Sequence, residues 1–263
     1  MSPQFVLRDG VRIAVTDRGG DGPAVVLLHG LAGSSRELLP TADALTPDHR
    51  VVLVDQRGHG QSTRRPDDCS REAFVDDVIT VVERLLPGER VRLVGQSMGA
   101  HTAFLVAAAR PDLVDRLVML EGHAAGSDDP HEARALGDFF RSWPLPFADL
   151  PAAREALGDS PIARAWVEDL ERTPEGLRPP FDADIMEATI AAVQVPRWRE
   201  WESLAVPTVA VFAAHGMFEP EQRDELIRRR PATTRVDLPH GSHDAHLDAF
   251  EDWIAALRDA LRP

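Results

Sequence analysis

At 263 residues, with 43% hydrophobic and 27% charged side chains, the chain can build one large core and carry an inserted segment. No apolar run approaches the roughly eighteen residues of a membrane span, the opening Met1-Ser2-Pro3-Gln4-Phe5 lacks the leader of a signal peptide, and a net charge of −14 repels phosphate backbones and anionic membranes. These features argue against membrane and nucleic-acid partners; the expectation is a cytoplasmic protein, monomeric or homodimeric, with a small-molecule partner.

Phe5–Arg8 and Val11–Val15 flank Asp9-Gly10, a dipeptide suited to a tight hairpin turn between two strands. After the turn-rich Gly19–Pro23, the unbroken apolar run Ala24–Leu28 reads as a strand covered on both faces. Val51–Val54, Val91–Val94, Leu117–Leu120 and Thr208–Phe212 repeat that signature and predict the parallel centre of one sheet. Helical patterns fill the intervals over Arg71–Leu86, Met98–Ala109 and Glu221–Arg230, and close the chain over Ala245–Leu261. Strand alternating with helix implies crossovers covering both sheet faces. A last strand, Thr234–Leu238, leads into Pro239-His240-Gly241-Ser242-His243. The single cysteine, Cys69, lies in a polar stretch and reads as incidental.

The alternation breaks between Gly122 and Val206, where helical and proline-rich pieces replace strands. This predicts a helical cap at 122–206 inserted into a core of 1–121 and 207–263. Four of the five tryptophans fall inside it, and Trp143, Phe147, Trp166 and Met186 are expected as substrate contacts.

Gly95-Gln96-Ser97-Met98-Gly99 joins the fifth strand to the helix after it, which is the pattern of a nucleophile elbow. Such a turn exposes the Ser97 hydroxyl, and the backbone N–H of Met98 at the helix start becomes available to an oxyanion. A serine needs a base, and the loop between the last strand and the last helix offers one at the carboxyl edge of the sheet. His243 is the expected base; His240 and His246 are its competitors, nearer the strand and the helix. His123 and His215 fall near the presumed pocket rim but have no neighbours at metal-ligand spacing, so neither a metal nor a cofactor is expected.

With His29-Gly30-Leu31 after the third strand, Asp55-Gln56-Arg57-Gly58-His59-Gly60-Gln61-Ser62 after the fourth, the Ser97 elbow and the His243 loop, nearly the whole chain resembles the α/β-hydrolase superfamily. The resemblance implies a mostly parallel eight-stranded sheet with helices on both faces and an inserted helical cap. It also implies that the Leu31 backbone N–H joins that of Met98 in an oxyanion hole, with His29, Asp55, Arg57 and His59 shaping loops. Members of the family usually carry the acid that orients the histidine just beyond the seventh strand. Here that stretch reads Ala213-Ala214-His215-Gly216-Met217-Phe218-Glu219-Pro220, and a glycine stands where the aspartate is expected. Glu121, ending the sixth strand, takes its place in the expected order Ser97, Glu121, His243; this acid position is similar to that in haloalkane dehalogenases and zearalenone lactonases. Glu219 is the alternative, although its place before Pro220 also suits a helix cap. The expected activity is hydrolysis of an apolar carboxylic ester or lactone without a cofactor. Carbon–carbon bond hydrolysis, thioester cleavage and perhydrolysis use the same constellation, and a non-catalytic binding scaffold is the reading of a different class.

Overall fold

The computed structural model describes residues 3–127, 129 and 131–262. In chain order the elements are β1 (Gln4–Arg8), β2 (Val11–Asp17), β3 (Ala24–Leu28), α1 (Leu39–Leu45), β4 (Arg50–Val54), α2 (Arg71–Leu85), β5 (Val91–Gln96), α3 (Met98–Ala109) and β6 (Val114–Leu120). An excursion follows: α4 (Glu132–Arg141), α5 (Leu150–Leu157), α6 (Pro161–Asp169), the short strands β7 (Glu171–Thr173) and β8 (Gly176–Arg178), α7 (Ala183–Val193) and α8 (Trp198–Glu202). The chain then returns through β9 (Thr208–Phe212), α9 (Pro220–Arg229), β10 (Thr233–Asp237), α10 (Ala245–Asp248) and α11 (Phe250–Ala260).

Eight strands form one sheet in the order β1-β2-β4-β3-β5-β6-β9-β10, parallel except where β2 runs against β1 and β4. This is the α/β-hydrolase fold, with helices on both faces. The two-residue period of a strand divides its side chains between those faces. Val26 and Leu28 of β3 pack with Phe104 of α3 and Val78 of α2, whereas Val25 and Leu27 pack with Leu45 of α1 and Trp253 of α11. Because both faces are covered, β3, β5 and β9 are buried at every position, and most of these positions are apolar, the signature visible in the sequence; buried Arg92 is the exception inside β5.

The register of the sheet positions the site. Gln96 at the end of β5 pairs with Leu120 at the end of β6, so the next residues, Ser97 and Glu121, leave the sheet side by side. Leu120 in turn pairs with Val211 of β9, which brings the loop after β9 against Glu121.

Three features depart from the sequence reading. Helix α1 was not expected; it spans only seven residues with a proline in its first turn, too few to establish a helical period. The terminal helix is broken at Ala249 (φ −133°, ψ 46°), because Asp248 turns back to accept the backbone N–H of Ser242 at 3.1 Å. The inserted segment contains the β7–β8 hairpin, and its aromatics divide. Phe140, Trp143, Phe147 and Phe181 form a separate cluster with Trp166 packed against it, whereas Trp201 meets the Phe104 ring of α3 edge-on at 6.0 Å and belongs to the core under the sheet. Hydropathy cannot tell these two environments apart.

Candidate active site

Ser97 sits at φ +52°, ψ −118°, a conformation L-residues rarely adopt, between a strand and a helix that nearly touch. A Cβ on Gly95 would stand 2.3 Å from the backbone of Gly99, and one on Gly99 2.2 Å from the carbonyl oxygen of Leu28. The two glycines therefore permit the close crossing on which the turn depends. The turn is pinned from both sides: Ser97 N–H donates to Leu120 O at 2.9 Å, and Ser97 O accepts from His101 N–H at 3.0 Å. The N–H groups of Leu31 and Met98 donate to no acceptor among the described residues. The loop carrying Leu31 is braced by His29, whose Nε2 accepts from Gln56 N–H at 3.0 Å and whose carbonyl accepts from Gln56 Nε2 at 2.8 Å. Asp55 accepts the N–H groups of Ser35 and Gln61, and Arg57 forks onto Asp77 at 2.7 and 2.8 Å, so the second loop is likewise held by the paired side chains of Asp55 and Arg57.

Glu121 also has a positive φ, +49°, and is completely buried. Oε1 accepts the N–H of Ala213 at 2.8 Å, and Oε2 accepts the N–H of Met217 at 2.8 Å and lies 3.5 Å from His243 Nδ1. The glycine expected to mark a missing acid makes room for this one. A Cβ on Gly216 would stand 2.1 Å from Oε1 of Glu121. The carboxylate from β6 thus occupies the space that a side chain after β9 would fill. Glu219, the alternative acid, is exposed at the N-cap of α9, where its own N–H donates to Gln222 Oε1 at 2.9 Å.

The three histidines of the late loop separate in the same way. His240 is exposed and its Nδ1 meets Asp252 at 2.8 Å, while His246 is buried 3.7 Å from Glu37. Only His243 meets Glu121. Its backbone is held by Gln96, whose Nε2 donates to the His243 carbonyl at 3.0 Å. Neither Gln96 nor Asp248 was singled out from the sequence. Adjacency to Ser97 was a signal for the first; nothing local could reveal the second, because its role depends on the helix break.

Ser97, Met98 and Glu121 open onto a cavity of about 570 Å³. Its walls are mostly apolar: Leu136 and Phe139 from α4, Ile190 and Val193 from α7, and Met217 and Phe218 after β9. Trp143, Phe147, Trp166 and Met186, expected to contact substrate, are not among its lining residues. They pack into the inserted segment's own cluster instead, because large rings are also what a small module needs to stabilise itself. His123 does reach the cavity. Its Nε2 donates to Gln222 O at 2.9 Å, Nδ1 accepts from Ala125 N–H at 3.0 Å, its ring stacks on Phe218, and burial holds it below the usual imidazole range. His215 is exposed. Among the described residues, no group of three or more His, Cys, Asp or Glu side chains could hold a metal ion, and no helix is long and apolar enough to cross a membrane.

The model of the alpha/beta hydrolase fold family matches residues 23–250. The chain is 36% identical over 255 residues to a putative carbamate hydrolase RutD of Caulobacter sp. (strain K31), covering 92% of this chain and 91% of that protein. It is 28% identical over 258 residues to the sn-1-specific diacylglycerol lipase ABHD11 of Mus musculus, covering 91% and 81%. Among solved structures, E-2-(acetamidomethylene)succinate hydrolase superposes with a TM-score of 0.85 at 23% identity over 98% of each chain. The enol-lactonase from Burkholderia xenovorans LB400 does so with 0.79 at 22% identity, over 98% of this chain and 99% of that one.

Proposed function

The chain belongs to the α/β-hydrolase fold family and is a hydrolase, and from that premise we propose that it cleaves carboxylic esters or lactones through an acyl-enzyme on Ser97. The observation that carries this reading is the Glu121 carboxylate against His243 Nδ1, beside a serine in a strained elbow. Ser97 Oγ attacks the carbonyl carbon while His243 Nε2 takes the hydroxyl proton. Glu121 selects the tautomer that leaves Nε2 free and stabilises the imidazolium that forms. The unused N–H groups of Leu31 and Met98 receive the oxyanion. As the carbon–oxygen bond breaks, His243 returns the proton to the leaving alkoxide. Water then adds to the acyl carbon, gives its proton to His243, and the acid departs as Ser97 is restored.

The apolar walls favour an ester or lactone with an apolar body. The segment 122–206 serves as the cap over this cavity, with its last turn, Trp198–Glu202, packed on the sheet domain. A fluorophosphonate probe tests the activated serine. Labelling at Ser97 is expected, lost in Ser97→Ala and His243→Ala, with turnover of aryl esters or lactones in a substrate panel. No labelling of the native protein would overturn the enzyme reading in favour of a binding scaffold; turnover of thioesters alone would overturn the substrate class.

A further inference from the structure

Two buried polar side chains beside the cavity lack the partners that such groups normally have. His101, in the first turn of α3, is 2% exposed and lines the cavity with Ser97 and Met98, yet neither ring nitrogen has a hydrogen-bond partner among the described residues. Arg71, the first residue of α2, is 1% exposed. Its Nη2 donates to the hydroxyl of Thr102, its guanidinium covers the Phe74 ring, and Nε and Nη1 have no partner. No carboxylate among the described residues lies within ion-pair distance of Arg71.

The contrast with Arg57 is direct. That guanidinium is equally buried and forks onto the Asp77 carboxylate. A buried charge normally has such a partner, because desolvation without compensation is among the most costly arrangements in a protein. Burial, and then the nearby Arg197, push Arg71 down to about 9, and burial followed by Arg71 and Arg197 holds His101 well below the usual imidazole range. At neutral pH, His101 is therefore an uncharged ring with one N–H to donate, in the field of two cations. Arg197 is itself paired, to Glu72 at 2.7 Å and Glu200 at 3.1 Å, so of the two Arg71 is the cation with no carboxylate at ion-pair distance; Glu72, engaged by Arg197, offsets its burial only in part. The two acids on the cavity wall do not supply one: Glu121 is turned to Ala213, Met217 and His243, and Glu132 is exposed.

We propose that the corner formed by His101 and Arg71 seats a carboxylate of the substrate, so that the site prefers esters or lactones bearing an acid group on an apolar body. This rests on the reading of the cavity as the substrate site. His101 donates an N–H to the carboxylate, and Arg71, whose charge acts through the ring and does not reach the cavity surface, supplies the counter-charge. Arg71 is a positioning residue here, not a reacting one.

Binding without turnover tests the seat independently of the serine chemistry. Calorimetric titration of the intact protein with hexanoate and with hexanamide is expected to show at least a tenfold tighter affinity for the carboxylate, retained in Ser97→Ala. In His101→Leu and Arg71→Met that preference disappears. The melting temperature of ligand-free Arg71→Met is expected to hold or rise, since an unpaired buried charge has been removed; a structural cation would lower it. Equal affinities in the native protein, or an undiminished preference in His101→Leu, overturn the proposal. Failure of the hydrolase reading registers separately, as absence of fluorophosphonate labelling at Ser97.

Discussion

The ends of β6 and β9 are neighbours in the sheet and exchange roles. Beyond β9, where an acid is expected from resemblance, stands Gly216; at the end of β6 stands Glu121, whose carboxylate reaches across to accept the N–H groups of Ala213 and Met217. One strand end supplies the acid and the other supplies its cradle and the empty space it fills. What a histidine requires is a carboxylate oxygen at its Nδ1; here the end of β6 delivers it and the loop after β9 makes way.

The largest effect should come from removing the acid. Glu121→Gln is expected to lower kcat by about 10³- to 10⁴-fold, as loss of an orienting acid does in serine hydrolases, read from ester turnover with the fold checked by circular dichroism. Activity within a few-fold of the native protein would transfer the role to another residue.

The exchange itself can be reversed. Gly216→Asp alone forces a second carboxylate against Glu121 and should inactivate and destabilise the protein, by roughly 1–3 kcal/mol from overpacking alone. Combined with Glu121→Ala, the same aspartate has room, and the double variant should recover about tenfold or more over Glu121→Ala alone. A double variant no better than the single one would mean that the β9 side cannot present an acid to His243.

Both strand ends are also tied through His123, which follows Glu121 by two residues and stacks on Phe218 at a ring separation of 5.1 Å. Because burial depresses its folded-state value, the unfolded chain binds the proton first as pH falls through about 6.5. The contribution of neutral His123 is present above that pH and lost below it, at a rate of at most about 1.4 kcal/mol per pH unit. His123→Phe should therefore show a shallower decline of melting temperature between pH 7 and 5; an unchanged slope would remove His123 from the account.

Glu219→Ala should matter least. As an exposed helix cap, its loss is expected to cost about 1 kcal/mol or less in chemical denaturation and to leave turnover near the native rate. A drop comparable to that of Glu121→Gln would reverse the assignment of the two acids.

Local signals in the chain were enough for the sheet and the elbow. Unbroken apolar runs mark strands covered on both faces, and glycines two positions either side of Ser97 answer a close approach of backbone to backbone, so composition and short-range sterics specify both. The meeting of Glu121 with His243 was legible as well, since strand ends in a parallel sheet share one edge. What fills the space before Gly216, and that Trp143 and Trp166 pack into the inserted segment's own cluster, were decided only by the tertiary structure. These depend on contacts between residues distant in the chain, where one arrangement of side-chain atoms excludes another, and hydropathy at a single position carries no record of that competition. Arg71 is the clearest case: only the packing of α2 on α3 shows a helix-start arginine buried with no carboxylate among the described residues at ion-pair distance.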